Sequence, residues 1–163
     1  MATTPTLGTL LRHLIECLDG AVEEAYLRAG IDYKPRYTPI VRALQALGPA
    51  SIRAISQHAG ITHSAASQSV TDMSKRSLLV IAPGVDARER IISLSPAAEA
   101  MLPRVKQQWQ ITEAAARSLD AELGFSLPEV LQKTLTLLAE RSFSERIDAE
   151  RKKRKKPVET SKR

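Results

Sequence analysis

The sequence predicts a mainly α-helical chain with one small β-hairpin, and three features carry that expectation. Apolar residues recur at spacings of three and four over residues 7–25, 40–47, 101–123 and 130–138, the period of amphipathic helices. Between 51 and 76 two such helices are separated only by Gly60-Ile61-Thr62, a residue suited to a left-handed stop and then a cap. The apolar run Leu78-Leu79-Val80-Ile81 meets Pro83-Gly84, and Arg90-Ile-Ile-Ser-Leu94 returns after a charged turn, as in a hairpin. Helix, tight turn, helix and basic hairpin is the order of a winged helix-turn-helix, in which the second helix lies in a DNA major groove.

The elements follow in order. Thr4-Pro5 offers a cap and a first-turn proline. The helix behind it carries Leu7, Leu10, Leu11, Leu14, Leu18, Ala21, Val22 and Ala25, and Gly30 ends it. A linker, 31–38, holds Tyr33, Pro35 and Tyr37. Thr38-Pro39 repeats the cap-plus-proline start, for a short helix with Ile40, Val41, Leu44 and Leu47 that stops at Gly48. Ser51 caps the next helix, with Ile52, Ile55 and Ala59 inward. Past Thr62, Ala65, Ala66, Val70 and Met73 make an apolar edge, and Ser64, Ser67, Gln68 and Thr71 a polar one. Residues 78–81 suit a buried strand. Ser95-Pro96 opens a long helix through Met101, Leu102, Val105, Trp109 and Ala116 to Leu123, with a kink expected at Pro103. Ser126-Leu-Pro-Glu129 has capping-box spacing for a last helix with Val130, Leu131, Leu135, Leu138 and Phe143. The basic block after Ala149 repels itself and is expected to be disordered.

The expected divisions are 1–35, an N-terminal helix and linker; 36–95, the winged lobe; 96–149, C-terminal helices; and 150–163, a basic tail. The outer helices are longer than a lobe of this size needs. Their apolar stripes either pack on their own domain or, the preferred reading, are buried against a second copy, giving a homodimer with two-fold symmetry.

Composition narrows the function classes. Of 163 residues 43% are hydrophobic, enough for a packed core, and no apolar run approaches the roughly 18 residues that span a bilayer. The N-terminus lacks the basic-then-apolar pattern of a secretory signal, and one cysteine makes no internal disulfide, so a cytoplasmic protein without membrane contact is expected. The net charge is +6, all of it held by residues 149–163, because the first 148 residues balance at 16 basic and 16 acidic groups. Within those 148, residues 36–92 carry +4 while each flank carries −2. The segment with the helix-turn-helix order is thus the basic part, as phosphate binding requires. His13, His58 and His63 lie at no metal-ligand spacing, and no glycine-rich phosphate loop or catalytic pair stands out. Neither a metal, a cofactor nor an enzymatic activity is expected.

The residues expected on double-stranded DNA are Thr62, His63, Ser64, Ser67, Gln68 and Thr71 along the second helix. Hydroxyls suit phosphates or either base type, and the Gln68 amide suits an adenine edge. Arg53, Lys75 and Arg90 are read as phosphate contacts. Arg88 is the wing residue for a narrow minor groove, with Asp86 holding the turn. The bland alternatives are a solvated polar face and a surface ion pair.

These segments resemble the MarR family of bacterial transcription regulators over roughly residues 36–102. The resemblance is carried by Ile61-Thr-His-Ser-Ala-Ala-Ser-Gln68 and Met73-Ser-Lys-Arg-Ser-Leu-Leu-Val80. It is strongest in Asp86-Ala-Arg88-Glu-Arg90-Ile-Ile-Ser-Leu94-Ser95, which is similar to the family's wing signature. The family usually has Gly at Ser77, Thr at Ser95 and Gly at Ala98, and often a basic residue at Gln68; the last departure bears on base preference. The resemblance implies a homodimer on a pseudo-palindromic operator, more often a repressor, released by a small-molecule effector or by oxidation. Tyr26, Tyr37 and Trp109 are candidates to line an effector pocket, against core or dimer packing for Trp109. Cys17 is a candidate redox residue, but Glu16 and Asp19 beside it repel a thiolate, and a buried structural cysteine is the preferred reading. Two other classes stand against this: an architectural DNA-binding protein without sequence preference, and a winged helix used only for protein contacts.

Overall fold

The computed structural model describes residues 4–84 and 89–155. It divides into two compact units, Met1–Thr112 and Glu113–Arg163.

The first unit begins with α1, Leu7–Arg28. Its cap is Thr6 rather than Thr4, because the Thr6 hydroxyl oxygen accepts from the Thr9 N–H at 3.2 Å and also meets the Thr9 hydroxyl. Gly30 turns the chain at φ 65°, and the Arg104 guanidinium donates to the Ala29 and Gly30 carbonyls left open at the helix end. A 3₁₀ turn, Pro35–Tyr37, leads into α2, Thr38–Leu47. Thr38 is inside the helix and does not cap it; its hydroxyl oxygen accepts from the Tyr33 hydroxyl at 3.2 Å. Gly48 ends α2 as expected.

Two residues follow as β1, Ala50–Ser51. Ser51 then caps α3, Ile52–Ala59, by accepting from the Ala54 N–H, and Gly60 closes it in the left-handed region. Thr62 caps α4, His63–Lys75, by accepting from the Ala65 N–H at 3.1 Å. The hairpin is β2, Leu79–Pro83, and β3, Arg90–Leu94. The antiparallel sheet has the order β1-β3-β2, with Ala50 and Ile81 both opposite Ile92. The strand expected to be buried is therefore an edge strand. Leu79 is covered, but Val80 is 47% and Ile81 39% exposed, and no other described strand pairs outside β2. The core gathers Tyr26, Tyr37, Ile40, Ile55, Met73 and Ile92, with Val105 from α5, Pro96–Leu123. Ser95 caps α5 by accepting from the Ala98 N–H, and Pro103 lies within the helix without ending it.

The second unit holds the end of α5, α6 at Leu127–Glu140 and α7 at Phe143–Lys155. Ser126 caps α6, as its spacing to Glu129 predicts. Two expectations are corrected here. The last apolar segment is two helices, divided at Arg141-Ser142, where Ser142 and Glu145 form a second capping box. Residues 150–155 of the expected disordered tail are helical, as the continuation of α7. No helix among the described residues is long and apolar enough to cross a membrane.

Candidate nucleic-acid interface

The second helix of the helix-turn-helix, α4, is divided lengthwise by chemistry. Its inner edge is Ala66, Ser69, Val70 and Met73, all buried. The sequence places Ala65 on that edge; the structure leaves it exposed and substitutes Ser69. The exchange follows from the 3.6-residue period, which carries Ala66, Ser69, Val70 and Met73 along one face. Ser69 tolerates burial because its hydroxyl donates to the Arg36 carbonyl at 3.3 Å.

The opposite edge is open. His63, Ser64, Gln68, Thr71 and Lys75 are exposed, and Ser67 is half-buried. Thr62 keeps its hydroxyl proton for an outside acceptor, because its oxygen is the one used in capping. The Thr71 hydroxyl donates back to the Ser67 carbonyl at 2.8 Å and keeps its lone pairs outward. Two shallow grooves of about 350 and about 370 Å³ run beside this edge. One lies between α4 and the sheet and is lined by Ser67, Thr71, Lys75, Ile81 and Arg90 among others. The other is lined by Arg36, Ser67, Gln68, Thr71, Asp72 and Lys75. Ser67, Thr71 and Lys75 thus form a ridge shared by both. Arg53, on α3, is exposed. Arg88 and Asp86 lie outside the described residues, so the expected wing contact is framed only by its neighbours. Arg90 is exposed at the start of β3, opposite Pro83.

Sequence reasoning missed what holds α4 in place. The Asp72 carboxylate accepts from the Tyr37 hydroxyl and from the Arg36 guanidinium, with Lys34 Nζ at 3.5 Å and Arg76 Nε at 3.9 Å. Arg76 also donates to Asp32. The Tyr37 hydroxyl first, and then Arg36, hold the Asp72 carboxyl well below the usual carboxylate range. Burial, with the adjacent carboxylate, pushes the Tyr37 phenol up to about 12. The second helix is therefore pinned to residues 32–37 at both Asp72 and Arg76, and Arg36 is carried to the rim of a groove. The signal was present in the sequence: Asp72 is the sole carboxylate between Asp32 and Asp86, inside the basic segment.

The remaining candidates are placed as follows. Tyr26 and Tyr37 are almost wholly buried and belong to a stack of three tyrosines, with Tyr33 edge-on to Tyr26 at 4.9 Å and to Tyr37 at 5.6 Å between ring centroids. Trp109 is half-buried under the Arg42 guanidinium, 4.7 Å from its ring centroid, and its buried Nε1 has no hydrogen-bond partner among the described residues. Cys17 is exposed in this chain, which corrects the reading of a buried cysteine, since α1 turns that face away from its own core. Its sulfur lies 3.8 Å from His13 Nε2. No group of three or more His, Cys, Asp or Glu side chains placed to hold a metal occurs among the described residues.

A helix locked on its inner edge, open and polar on its outer edge, and flanked by a three-stranded sheet defines a winged helix-turn-helix protein. No protein-family model and no curated protein sequence matches the chain. Solved structures do. The M. tuberculosis transcriptional regulator MOSR, in complex with DNA, is similar at TM-score 0.64 and 17% identity, with 82% of this chain and 93% of that chain covered. The PcaV transcriptional regulator from Streptomyces coelicolor, with its natural ligand, is similar at TM-score 0.63 and 18% identity, covering 87% and 99%. A MarR-family transcriptional regulator from Rhodococcus sp. RHA1 is similar at TM-score 0.54 and 18% identity, covering 86% and 98%. The chain has the winged-helix fold of MarR-type regulators.

Proposed function

We propose that this chain is a MarR-family transcriptional regulator that binds a pseudo-palindromic operator as a homodimer, acts as a repressor, and is released by a small-molecule effector. It works in the cytoplasm without enzymatic activity. One observation carries the reading: the open edge of α4, from Thr62 to Lys75, gathers hydroxyls, an amide and a cation on a helix whose other edge is fully engaged. Ser64, Ser67 and Gln68 face base edges, while Arg53, Lys75, Arg90 and the wing Arg88 meet phosphates or the minor groove. The DNA complex of MOSR supports the partner, and the ligand complex of PcaV supports an effector.

The homodimer is supported by apolar surface that a single chain leaves open. Leu7, Leu10, Ile15 and Leu18 on α1 are 46–66% exposed, and no residue of α6 is buried. Monomeric proteins rarely expose contiguous apolar stripes of this kind. Segments 1–35 and 96–149 are accordingly assigned to dimer formation, and two copies then hold two α4 helices about one duplex turn, roughly 34 Å, apart. An effector that prefers a differently spaced dimer draws the population off DNA.

Selection of bound duplexes from a random pool, followed by footprinting, tests the reading. A symmetric motif with half-sites one turn apart is the expected product. Equal protection of scrambled duplexes would replace the regulator by an architectural protein, and no binding at low salt would leave only protein contacts.

A second reading is oxidation sensing through Cys17, favoured by its exposure and by His13 beside the sulfur. Peroxide should then release the operator from the parent protein and not from Cys17→Ser; equal behaviour of the two removes it.

A further inference from the structure

We infer that α7 is a second grip on nucleic acid, a basic helix that lies along the sugar-phosphate backbone of duplex DNA and adds affinity without reading bases. The inference rests on the DNA-binding reading above and concerns a surface outside the winged lobe.

The first turn of α7 is firmly built. The Glu145 carboxylate accepts from the Ser142 N–H and hydroxyl, each at 2.8 Å, and the Ser142 oxygen accepts from the Glu145 N–H at 3.2 Å. Arg146 donates to the Leu137 carbonyl at 2.9 Å and to the Arg141 carbonyl at 3.2 Å, which fastens α7 to the end of α6. At the opposite end the side chains meet only carboxylates of α7 itself among the described residues. Arg151, Lys152, Lys153 and Arg154 are all exposed and, being consecutive, circle the helix at about 100° per residue. Arg151 has Asp148 at 3.3 Å and Lys153 has Glu150, but Lys152 and Arg154 have no carboxylate partner among the described residues. Exposed pairs of that kind are readily exchanged for a stronger anion.

Charge selects the occupant. All of the net charge of the chain lies from residue 149 onward. Only Phe143 and Ile147 give α7 an exposed apolar face, two side chains one turn apart, too narrow to hold the helix in a bilayer surface or against another copy. Each strand of a duplex supplies one charge per about 3.4 Å of the axis, and a 13-residue helix spans about 20 Å, so α7 can run alongside about six phosphates of one strand. Cations on every side of the helix suit a backbone contact that needs no fixed rotation, whereas base readout requires one defined face.

The test compares the full-length protein with a variant carrying Arg151→Gln, Lys152→Gln, Lys153→Gln and Arg154→Gln on the selected operator and on a scrambled duplex. Glutamine keeps helix propensity, and circular dichroism should show unchanged helicity. The plot of log affinity against log salt should become shallower by about two to six units, at about 0.9 per lost phosphate contact in the paired protein. Affinity at low salt should fall roughly 10- to 100-fold on both duplexes, so the operator-to-scrambled ratio is kept. An unchanged slope overturns the inference. An unchanged slope together with loss of binding to phosphatidylserine vesicles at about 0.15 M salt moves α7 to a membrane surface. A fallen operator-to-scrambled ratio also overturns it, because α7 would then be reading bases. Failure of the unsubstituted protein to bind any duplex is a different outcome, and it removes the regulator reading itself.

Discussion

The Tyr37 hydroxyl donates to the Asp72 carboxylate, joining the last residue before α2 to the C-terminal half of α4, 35 positions later. Tyr37 is fully buried while Asp72 keeps a 26% exposed side chain, so the bond runs from the core to the rim of the groove beside α4. Tyr37→Phe keeps the ring in the core and removes only this donor. We expect a melting temperature lowered by a few degrees and operator affinity lowered several-fold, because α4 loses one of its anchors while Arg36 keeps the other. Asp72→Asn should weaken operator binding further, since the amide no longer holds Arg36 at the groove rim. Calorimetry and operator titration on the same preparations decide it: equal operator affinity in all three proteins separates the anchor from DNA binding.

The same pair predicts two pH limits. Asp72 is held below its ordinary value of 3.8, so its contribution is complete above that value and is lost as pH falls toward the depressed folded value. Tyr37 is raised from 10.0 to about 12, so the folded state favours the neutral phenol. That contribution is complete below pH 10 and disappears as pH climbs from 10 to about 12. Thermal melts across pH should show Asp72→Asn losing the acid-side slope and Tyr37→Phe losing the alkaline one. Parallel curves for all three proteins would mean that neither group is linked to folding.

Ser77 carries φ 58°, the one non-glycine residue among those described with a left-handed backbone. It closes α4 between its N–H, which donates to the Ser74 carbonyl, and its own carbonyl, which accepts from the Ser95 hydroxyl at 2.8 Å. A side chain there costs about 1–2 kcal/mol of backbone strain. Glycine removes the strain but gives back about 0.4–1 kcal/mol of unfolded-chain entropy. Ser77→Gly should therefore stabilise by about 0.5–1 kcal/mol in urea unfolding with no change in operator affinity. A destabilised variant would show that the Ser77 side chain has a contact outweighing its backbone.

Most of the local cap chemistry was legible in the sequence, although Thr4 and Thr38, both read as caps before a proline, do not cap. Ser51, Gly60, Thr62, Ser95 and Ser126 do what their types and spacings predict, because each bond closes within four residues. Features that depend on distant partners were not. β1 is two residues long and exists through pairing with β3 some forty positions away, and the Asp72 hub joins residues 35 and 36 positions apart. Val80 and Ile81 carry the composition of a buried strand; they point to opposite faces of the hairpin and both are exposed, because which faces other elements cover is not encoded in composition. The start of α7 was written in Ser142-x-x-Glu145 and overlooked because the helix has almost no apolar period to announce it. Along α4, Ser64, Gln68 and Thr71 are exposed as their polar edge predicts, whereas Ala65, expected inward, is exposed and Ser69, which the sequence left unplaced, is buried.

The open apolar stripes predict how the protein assembles. Ile15 on α1 is 58% and Leu135 on α6 is 61% exposed in a single chain. Fully burying a side chain of this size is worth about 1.5–3 kcal/mol, so covering the part still exposed is worth roughly 1–2 kcal/mol, and charging it should remove that and add a desolvation cost. Ile15→Glu and Leu135→Glu are each expected to shift sedimentation from dimer toward monomer at micromolar concentration. A parent protein that sediments as a monomer at all concentrations would end the two-fold account of operator binding.

Gln68 and Lys75 should divide readout from grip. Both are exposed on the open edge of α4 and line the groove beside Arg36, yet their chemistries differ. The Gln68 amide offers a donor and an acceptor side by side, which matches adenine N7 and N6 in the major groove, and a correct pair discriminates by about 1–3 kcal/mol. Lys75 is a flexible point charge whose attraction to phosphate does not depend on sequence. Gln68→Ala should therefore flatten preference at one base pair of each half-site and leave the salt slope unchanged, whereas Gln68→Arg should move that preference toward guanine. Lys75→Ala should weaken all duplexes alike and reduce the salt slope by about one per half-site. Repeating the duplex selection with each variant reads both effects. If Lys75→Ala alters the selected motif while Gln68→Ala does not, the two roles are reversed and the orientation of α4 in the groove must be turned about its axis.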